Sequence, residues 1–211
     1  MKIVVFGASG GTGQELVKQA SALGHEVTAF VRNPDRVTGR DRLRVVVGDA
    51  RNSHAVATAI AGQQAVLSAL GARSLANDSL LPRSMALILS AMQQNGVRRL
   101  IVLGASGVWP DAGKRLSPAM QFLLRAVAAT VLRRPFRSQR RMQELIRASD
   151  TDWTVIQPPR LLDQPGRGRY RVDGEALPGG GTRIARADVA AFMLAQLTSD
   201  AWVRQSPFVS W

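Results

Sequence analysis

At 211 residues and 45% hydrophobic, the chain is long enough to bury a core as one large domain or two small ones. It contains no cysteine, which excludes disulfides, thiol redox chemistry and cysteine-rich zinc sites; its two histidines, His25 and His54, stand in no metal-ligand spacing, which argues against a metal enzyme. The formal net charge of +13 favours anionic partners of some kind (phosphorylated cofactors, acidic substrates, nucleic acid or membrane surfaces) without choosing among them.

The chain opens on Met1-Lys2 and passes directly into an apolar run, Ile3 to Phe6, with no secretory pattern; a cytoplasmic protein is expected. The run breaks into Gly7-Ala8-Ser9-Gly10-Gly11-Thr12-Gly13, and a helical pattern begins near Thr12. Strand, glycine turn and helix in this order form a cradle for a pyrophosphate. The glycines let a ligand approach the backbone, and the helix start offers free N–H groups and a positive dipole end. The cradle therefore points to a dinucleotide.

Leu16, Val17, Ala20 and Leu23 share one face of the first helix, and Gly24 ends it. Glu26 to Val31 reads as a second strand, closing at Arg32 before an Asn33-Pro34 turn. In a dinucleotide fold the residue closing this strand meets the adenosine ribose, where an acid bonds a 2′-hydroxyl and an arginine accommodates a 2′-phosphate. Arg32, with Arg36 four residues on, therefore favours NADP(H), with NAD(H) as the alternative. Leu43 to Val47 is a third strand, and Asp49 after it either bonds the adenine or caps the helix Ser53 to Ala61.

Ala65 to Leu70 is a fourth strand, and at Gly71 the backbone passes close to the cofactor. A long helix starts at Asp78 or Ser79 and stops at Asn95-Gly96. Arg99 to Leu103 is a fifth strand, followed by Gly104-Ala105-Ser106-Gly107.

A loop from Val108 to Arg115 leads to a mostly helical segment, Pro118 to Ser149, with a break near Arg134-Pro135. Leu116 to Leu132 contains Arg125 and is too short and interrupted for a membrane span. Further on, Arg133, Arg134, Arg137, Arg140, Arg141 and Arg147 form an outer face, while Phe136, Met142, Leu145 and Ile146 supply a buried side. This pattern calls for no nucleic acid. Trp153 to Gln157 is a sixth strand, leading into Pro158-Pro159-Arg160 on the ligand side. Gly166 to Gly181 is a glycine-rich loop with a short strand at Tyr170 to Val172. Ala187 to Leu197 is the closing helix, with Asp188 suiting its N-terminal dipole, and Ser206 to Ser210 adds an edge strand.

Alternating strands and helices imply an α/β fold with a Rossmann-type, doubly wound parallel sheet. One domain over 1–211 is expected, with a small substrate-side region formed from 107–135 and 158–185. Ligands in such sheets sit at the carboxyl ends of the strands, where Gly7 to Gly13, Arg32, Asp49, Gly71 and Ser106 all fall.

With these residues in place, the chain resembles the atypical, extended-type short-chain dehydrogenase/reductases. Within them it resembles the NAD(P)H-binding group that includes biliverdin-IXβ reductase/flavin reductase. The likeness is carried by the glycine loop, Phe30-Val31-Arg32 with Arg36, Val47-Gly48-Asp49, Leu70-Gly71, Ala105-Ser106, and Gln157-Pro158-Pro159 with Asp163-Gln164-Pro165. The resemblance implies that Gly7, Gly10 and Gly13, with Ser9, Gly11 and Thr12, hold the pyrophosphate. Arg32 and Arg36 would hold the 2′-phosphate and Asp49 the adenine, while Ser106 would sit beside the nicotinamide and the substrate. Ala50, Leu70, Gly71 and Pro158 complete the expected cofactor contacts.

Two departures bear on the chemistry. The family's Tyr-x-x-x-Lys pair is missing: the one tyrosine, Tyr170, has no lysine three or four residues after it, and Gln139 and Arg140 fall roughly where the pair would stand. Arg160 stands where the flavin reductase has a histidine after its two prolines. Both argue against classical carbonyl reduction. A flavin, quinone or open tetrapyrrole leaves as a stabilised anion after hydride transfer and needs positioning more than a protein acid.

Ser106 is then expected to bond the carboxamide or the acceptor carbonyl, unless it merely caps its turn. Arg160 is expected to attract an anionic group on a small-molecule acceptor, unless it is a rim residue. Two other functions remain open: a non-catalytic NADP sensor of the NmrA-like kind and, ranked lowest, isomerase or dehydratase chemistry on a nucleotide sugar. The oligomeric state is left open.

Overall fold

The structure, a computed structural model, describes residues 1–37, 43–71, 79–108 and 133–211. The first strand, β1 (Lys2–Phe6), has four completely buried residues, Ile3 to Phe6. Alternate side chains leave a strand on opposite faces. Ile3 and Val5 enter one core and Val4 and Phe6 the other. A strand buried on both faces belongs inside a parallel sheet covered on both sides.

Around β1 lie β2 (Glu26–Val31), β3 (Arg44–Val47), β4 (Ala65–Ser68), β5 (Arg99–Leu103) and β6 (Asp152–Ile156). They form one sheet in the order β3-β2-β1-β4-β5-β6, every pair parallel. Chain order reverses at β1, so a crevice opens at its carboxyl end between β1 and β4, where such sheets bind ligands.

Among the described residues five helices cover the sheet: α1 (Gly11–Ala22), α2 (Ser53–Ile60), α3 (Leu80–Gln94), α4 (Arg133–Arg147) and α5 (Arg186–Ala195). Leu16, Val17 and Ala20 of α1 and Val189 and Met193 of α5 fill one core. Ile60 of α2, Met85 and Ile88 of α3 and Met142 and Ile146 of α4 fill the other. Each of the larger of these side chains, removed from water, stabilises the fold by about 1.5–3 kcal/mol.

The sequence-predicted elements agree with these to within two residues at each boundary, apart from the segment 118–149. The expected loop from Val108 and helix from Pro118 lie outside the described residues up to 132. The described helix α4 begins at Arg133, beside the break expected at Arg134-Pro135, and Pro135 is its third residue. In the first turn of a helix the N–H that proline lacks has no intrahelical acceptor anyway. Leu145 departs from its expected buried side and is 38% exposed. The contact of α4 with α3 is centred on Met142 and Ile146, and Leu145 lies beyond it.

Two small sheets stand on the ligand side. β7 (Arg160–Leu162) pairs in parallel with β9 (Arg183–Ala185), a pair the sequence reading did not foresee. β8 (Arg171–Asp173) pairs antiparallel with β10 (Phe208–Ser210), near the strands expected there. No described helix is long and apolar enough to cross a membrane.

Two side chains fasten α5, one at each end. Arg99 of β5 reaches the carboxyl end of α5, its Nε donating to the Gln196 carbonyl at 2.9 Å and its Nη2 to the Thr154 hydroxyl at 3.0 Å. Its Nη1 also donates to the Asp152 carbonyl at 2.5 Å. An arginine suits the negative end of a helix and satisfies carbonyls left over by the last turn. Burial pulls the Arg99 guanidinium below its usual range, with Asp152 and Asp200 opposing; the group stays ionised.

Asp188, in the first turn of α5, does more than complement a dipole. Its carboxylate, in a residue only 3% exposed, accepts the Arg167 N–H at 2.9 Å, the Gly168 N–H at 3.0 Å and the Trp211 Nε1–H at 2.7 Å. The Arg167 guanidinium stacks 3.8 Å over the Trp211 ring.

Asp188→Asn keeps the shape but turns one acceptor into a donor facing a donor. It is expected to lower unfolding stability by about 2–4 kcal/mol, read as a lower denaturant midpoint at unchanged slope. Arg99→Leu is expected to cost about 2–5 kcal/mol, because it strips donors from part-buried carbonyls. Arg98→Leu, which breaks only the exposed Arg98–Asp152 pair at 3.0 Å, should leave the midpoint nearly unmoved.

Candidate functional site

The site begins where β1 ends. Gly7 turns the chain at φ +79°, and a Cβ there would stand 2.8 Å from the Ala69 carbonyl, so the ends of β1 and β4 meet without a side chain between them. The turn closes as the Gly10 N–H donates to the Gly7 carbonyl at 2.9 Å. A Cβ on Gly13 would run into that same carbonyl, so the first turn of α1 sits directly on the loop. Gly10 is the N-cap and has no capping side chain, and no acid stands in the first turn. The positive end of α1 is therefore left open to an anion.

In front of it lies a cavity of about 350 Å³. Its walls come from the carboxyl ends of successive strands: Gly7, Ser9, Gly10, Gly11 and Thr12 after β1, Val31 and Arg32 at β2, and Gly48, Asp49 and Ala50 after β3. Ala69, Leu70 and Gly71 follow β4, and Leu103 and Gly104 end β5. Gln139 of α4, Leu161 of β7 and Arg186 of α5 close the far side.

One end of the cavity is charged. Arg32 lies there beside Asp49, whose carboxyl accepts the Arg51 backbone N–H at 2.9 Å and the Arg51 Nη2 at 2.6 Å. The Arg51 side chain, then its backbone N–H, hold Asp49 down at about 2 against a smaller upward push from burial, and Arg32 adds to the lowering. Asp49 is thus a permanent anion already engaged by its neighbour.

The other end is nearly neutral. Leu103, Gly104, Leu161 and Gln139 line it, and the Gln139 Oε1 is buried without a hydrogen-bond partner. Among the described residues, the ionisable groups lining the whole cavity are Arg32, Asp49 and Arg186. Tyr170 is elsewhere, packed edge-on against Phe192 of α5 with ring centroids 5.6 Å apart. Burial, and then the Asp188 charge, raise its phenol above the usual value.

Ten of the residues singled out in the sequence line the cavity: Gly7, Ser9, Gly10, Gly11, Thr12, Arg32, Asp49, Ala50, Leu70 and Gly71. Five others do not. Gly13 lies behind the cradle. Arg36 ends a 3-10 turn, Pro34–Arg36, where its carbonyl accepts the Gln14 Nε2–H at 3.2 Å. Ser106 opens the turn Ser106–Val108 and is 5% exposed; its N–H donates to the carbonyl of buried Pro158 at 2.9 Å. Arg160 is exposed at the start of β7, with its N–H on the Thr182 carbonyl at 3.3 Å.

A buried amide joins these parts. The Gln157 Oε1 accepts the Ala105 N–H at 3.1 Å and its Nε2 donates to the Gln143 Oε1 at 2.7 Å. Of the two residues standing where the tyrosine–lysine pair would fall, Gln139 reaches the cavity. The Arg140 Nη2 donates to the Val108 carbonyl at 3.2 Å. Sequence reading missed Leu161 and Arg186: no local pattern marks either, because each is brought in by the unforeseen β7–β9 pair.

Comparison with known proteins agrees with this geometry. A family model described as NAD(P)H-binding matches residues 7–200. YwnB of Bacillus subtilis (strain 168), described as uncharacterized, is 29% identical over 204 residues, covering 93% of this chain and 92% of that protein. A 3-diazoavenalumate denitrifying reductase from a Streptomyces species is 31% identical over 194 residues, 84% of this chain and 61% of that one. Among solved structures, ChuY, an anaerobillin reductase of Escherichia coli O157:H7, has a TM-score of 0.81 at 24% identity, covering 100% of this chain and 97% of that chain. A wide-type short-chain dehydrogenase/reductase of Veillonella parvula DSM 2008, solved in complex with NADP, has a TM-score of 0.78 at 19% identity, covering 100% and 94%. An anion cradle at the reversal point of a six-stranded parallel sheet and a family match over most of the chain lead to one conclusion: the protein belongs to the NAD(P)H-binding family.

Proposed function

We propose that this protein is an NADPH-dependent reductase whose acceptor is a flavin, a quinone or an open tetrapyrrole. The carrying observation is the neutral end of the cavity. Leu103, Gly104, Leu161 and Gln139 line it with no ionisable side chain among the described residues, and the chain's one tyrosine packs on α5 instead. NADPH supplies a hydride, and an acceptor of this class holds the resulting charge on a delocalised or oxygen-stabilised anion. Solvent then supplies the proton.

The chain's own work is positioning, which in the best model systems is worth about 7–11 kcal/mol of a barrier. The open end of α1 takes the pyrophosphate. Arg32, with Arg36 behind it, takes the 2′-phosphate, and Asp49 faces the adenine. Ala50, Leu70, Gly71 and Pro158 shape the remaining walls.

Gln139 lines the nicotinamide end with its amide, and Ser106 lies in the turn that follows β5. Arg160, exposed at the start of β7, draws in an anionic group on the acceptor. ChuY, an anaerobillin reductase, and the diazoavenalumate reductase are named for reductive chemistry, which supports the class of reaction.

The test follows NADPH absorbance with FMN, a quinone and biliverdin as separate acceptors. Oxidation above the protein-free rate with at least one is expected, and tight NADP⁺ binding with no turnover on any would favour the sensor instead. Tyr170→Phe should retain at least about half of kcat, and kcat should stay flat from about pH 6 to 9, because no acid of the cavity titrates in that window. Arg32→Glu should raise the KM for NADPH about 10–100-fold and leave that for NADH nearly unchanged, the expected cost of losing a charge-assisted phosphate contact.

A further inference from the structure

Arg186 occupies an unusual place. As the first residue of α5 it sits at the positive end of its own helix, where a cation is disfavoured. Its guanidinium also lies against the positive end of α1, with Nη1 donating to the Thr12 hydroxyl at 3.4 Å. A Cβ on Gly11 would stand 2.7 Å from its Cδ, so the arginine stem lies across the cradle where a larger residue would obstruct it. Arg186 lines the dinucleotide cavity and also a second cavity, and with Gly11 is shared by the two.

A cation in front of two positive helix ends calls for an anion. Asp163 supplies one from the second cavity: its Oδ1 is 2.6 Å from the Arg186 Nε. The partners differ sharply in exposure, 29% for the arginine side chain and 79% for the aspartate. So exposed a pair is weakly held and easily exchanged.

We propose that Arg186 is a side-chain ligand of the cofactor pyrophosphate, and that Asp163 is a resident counter-ion which the pyrophosphate displaces. The assignment rests on the family's dinucleotide binding in the cradle. When the nucleotide enters, the guanidinium exchanges one exposed carboxylate for phosphate oxygens already held by the N–H groups of α1. The salt bridge to Asp163 breaks, the one to phosphate forms, and no covalent bond changes. Asp163 therefore competes with the cofactor, and the two members of the pair act on affinity with opposite signs. A purely structural ion pair would act with the same sign from either side.

The test is calorimetric titration of the full chain with NADP⁺ and, separately, with adenosine 2′-phosphate, which lacks the pyrophosphate. Arg186→Gln should weaken NADP⁺ about 10–100-fold and leave adenosine 2′-phosphate within about two-fold of wild type. Asp163→Asn should tighten NADP⁺ by about two- to five-fold, the range of an exposed ion pair. Arg186→Lys, which keeps the charge without the fork, should fall between wild type and Arg186→Gln.

The proposal is overturned if Arg186→Gln binds NADP⁺ like wild type, or if Asp163→Asn weakens binding as Arg186→Gln does. Equal loss of both ligands in Arg186→Gln would also overturn it, since that marks a collapsed site. A wild-type chain that binds adenosine 2′-phosphate but gains nothing from the rest of NADP⁺ would overturn the cradle reading itself, a result distinct from all of these.

Discussion

The contact between the first turn of α1 and the Gly7 carbonyl governs the rest. No side chain fits between Gly13 and that carbonyl, so the helix starts in van der Waals contact with the end of β1. That contact aims the open N–H groups of α1 at the crevice where the order of strands reverses. It also sets the seating of α1 on the sheet through Leu16, Val17 and Ala20, and α5 packs in turn on α1. The cofactor cradle and one of the two cores thus share a single close approach. A side chain at Gly13 would force these two elements apart and unseat the cradle.

Charge is distributed along the cavity in a definite order. Arginine stands at the end beside β2 and β3 and at the cradle, while the other end is made of leucine, glycine and an amide. Asp49 is already engaged by Arg51 and Asp163 by Arg186, so neither presents an uncompensated negative charge to a phosphate. Few of the groups behind the formal charge of +13 face the cavity. Among the described arginines, Arg32 and Arg186 line the cavity; Arg99 ties β5 to the end of α5, and Arg137 and Arg141 of α4 are exposed.

Much of the fold was legible because its elements are long and sharply bounded. Residues 26–31 and 99–103 are strands in both readings, each an apolar run preceded by a glycine turn. The cradle was legible because all its parts are contiguous. What could not be read is non-local. β7 and β9 are three residues each, too short for an alternating pattern, and each exists only because the other lies beside it. Arg186 bonds Thr12 across 174 positions, and nothing near either residue marks the other. The Ser106 N–H meets the Pro158 carbonyl 52 positions away; both were read as ligand-side residues, but not as neighbours. Leu145 was misplaced because periodicity says which face is apolar, and not how far along it the partner helix extends.

The segment after α5 has a consequence of another kind. Gln205 and Phe208 form parallel bridges to Thr154 and Gln157, and the Val155 N–H donates to the Gln205 carbonyl at 3.1 Å. The returning chain thereby occupies hydrogen-bonding groups on the outer side of β6 that would otherwise template another strand. An uncovered row of this sort is where sheets of separate molecules join and aggregate. On the opposite flank β3 is only four residues long and begins with a charged Arg44, two features that also blunt an edge. The same residues that frame the ligand side thus also protect the sheet in a crowded, concentrated solution, and shortening the chain there would be felt first as lost solubility.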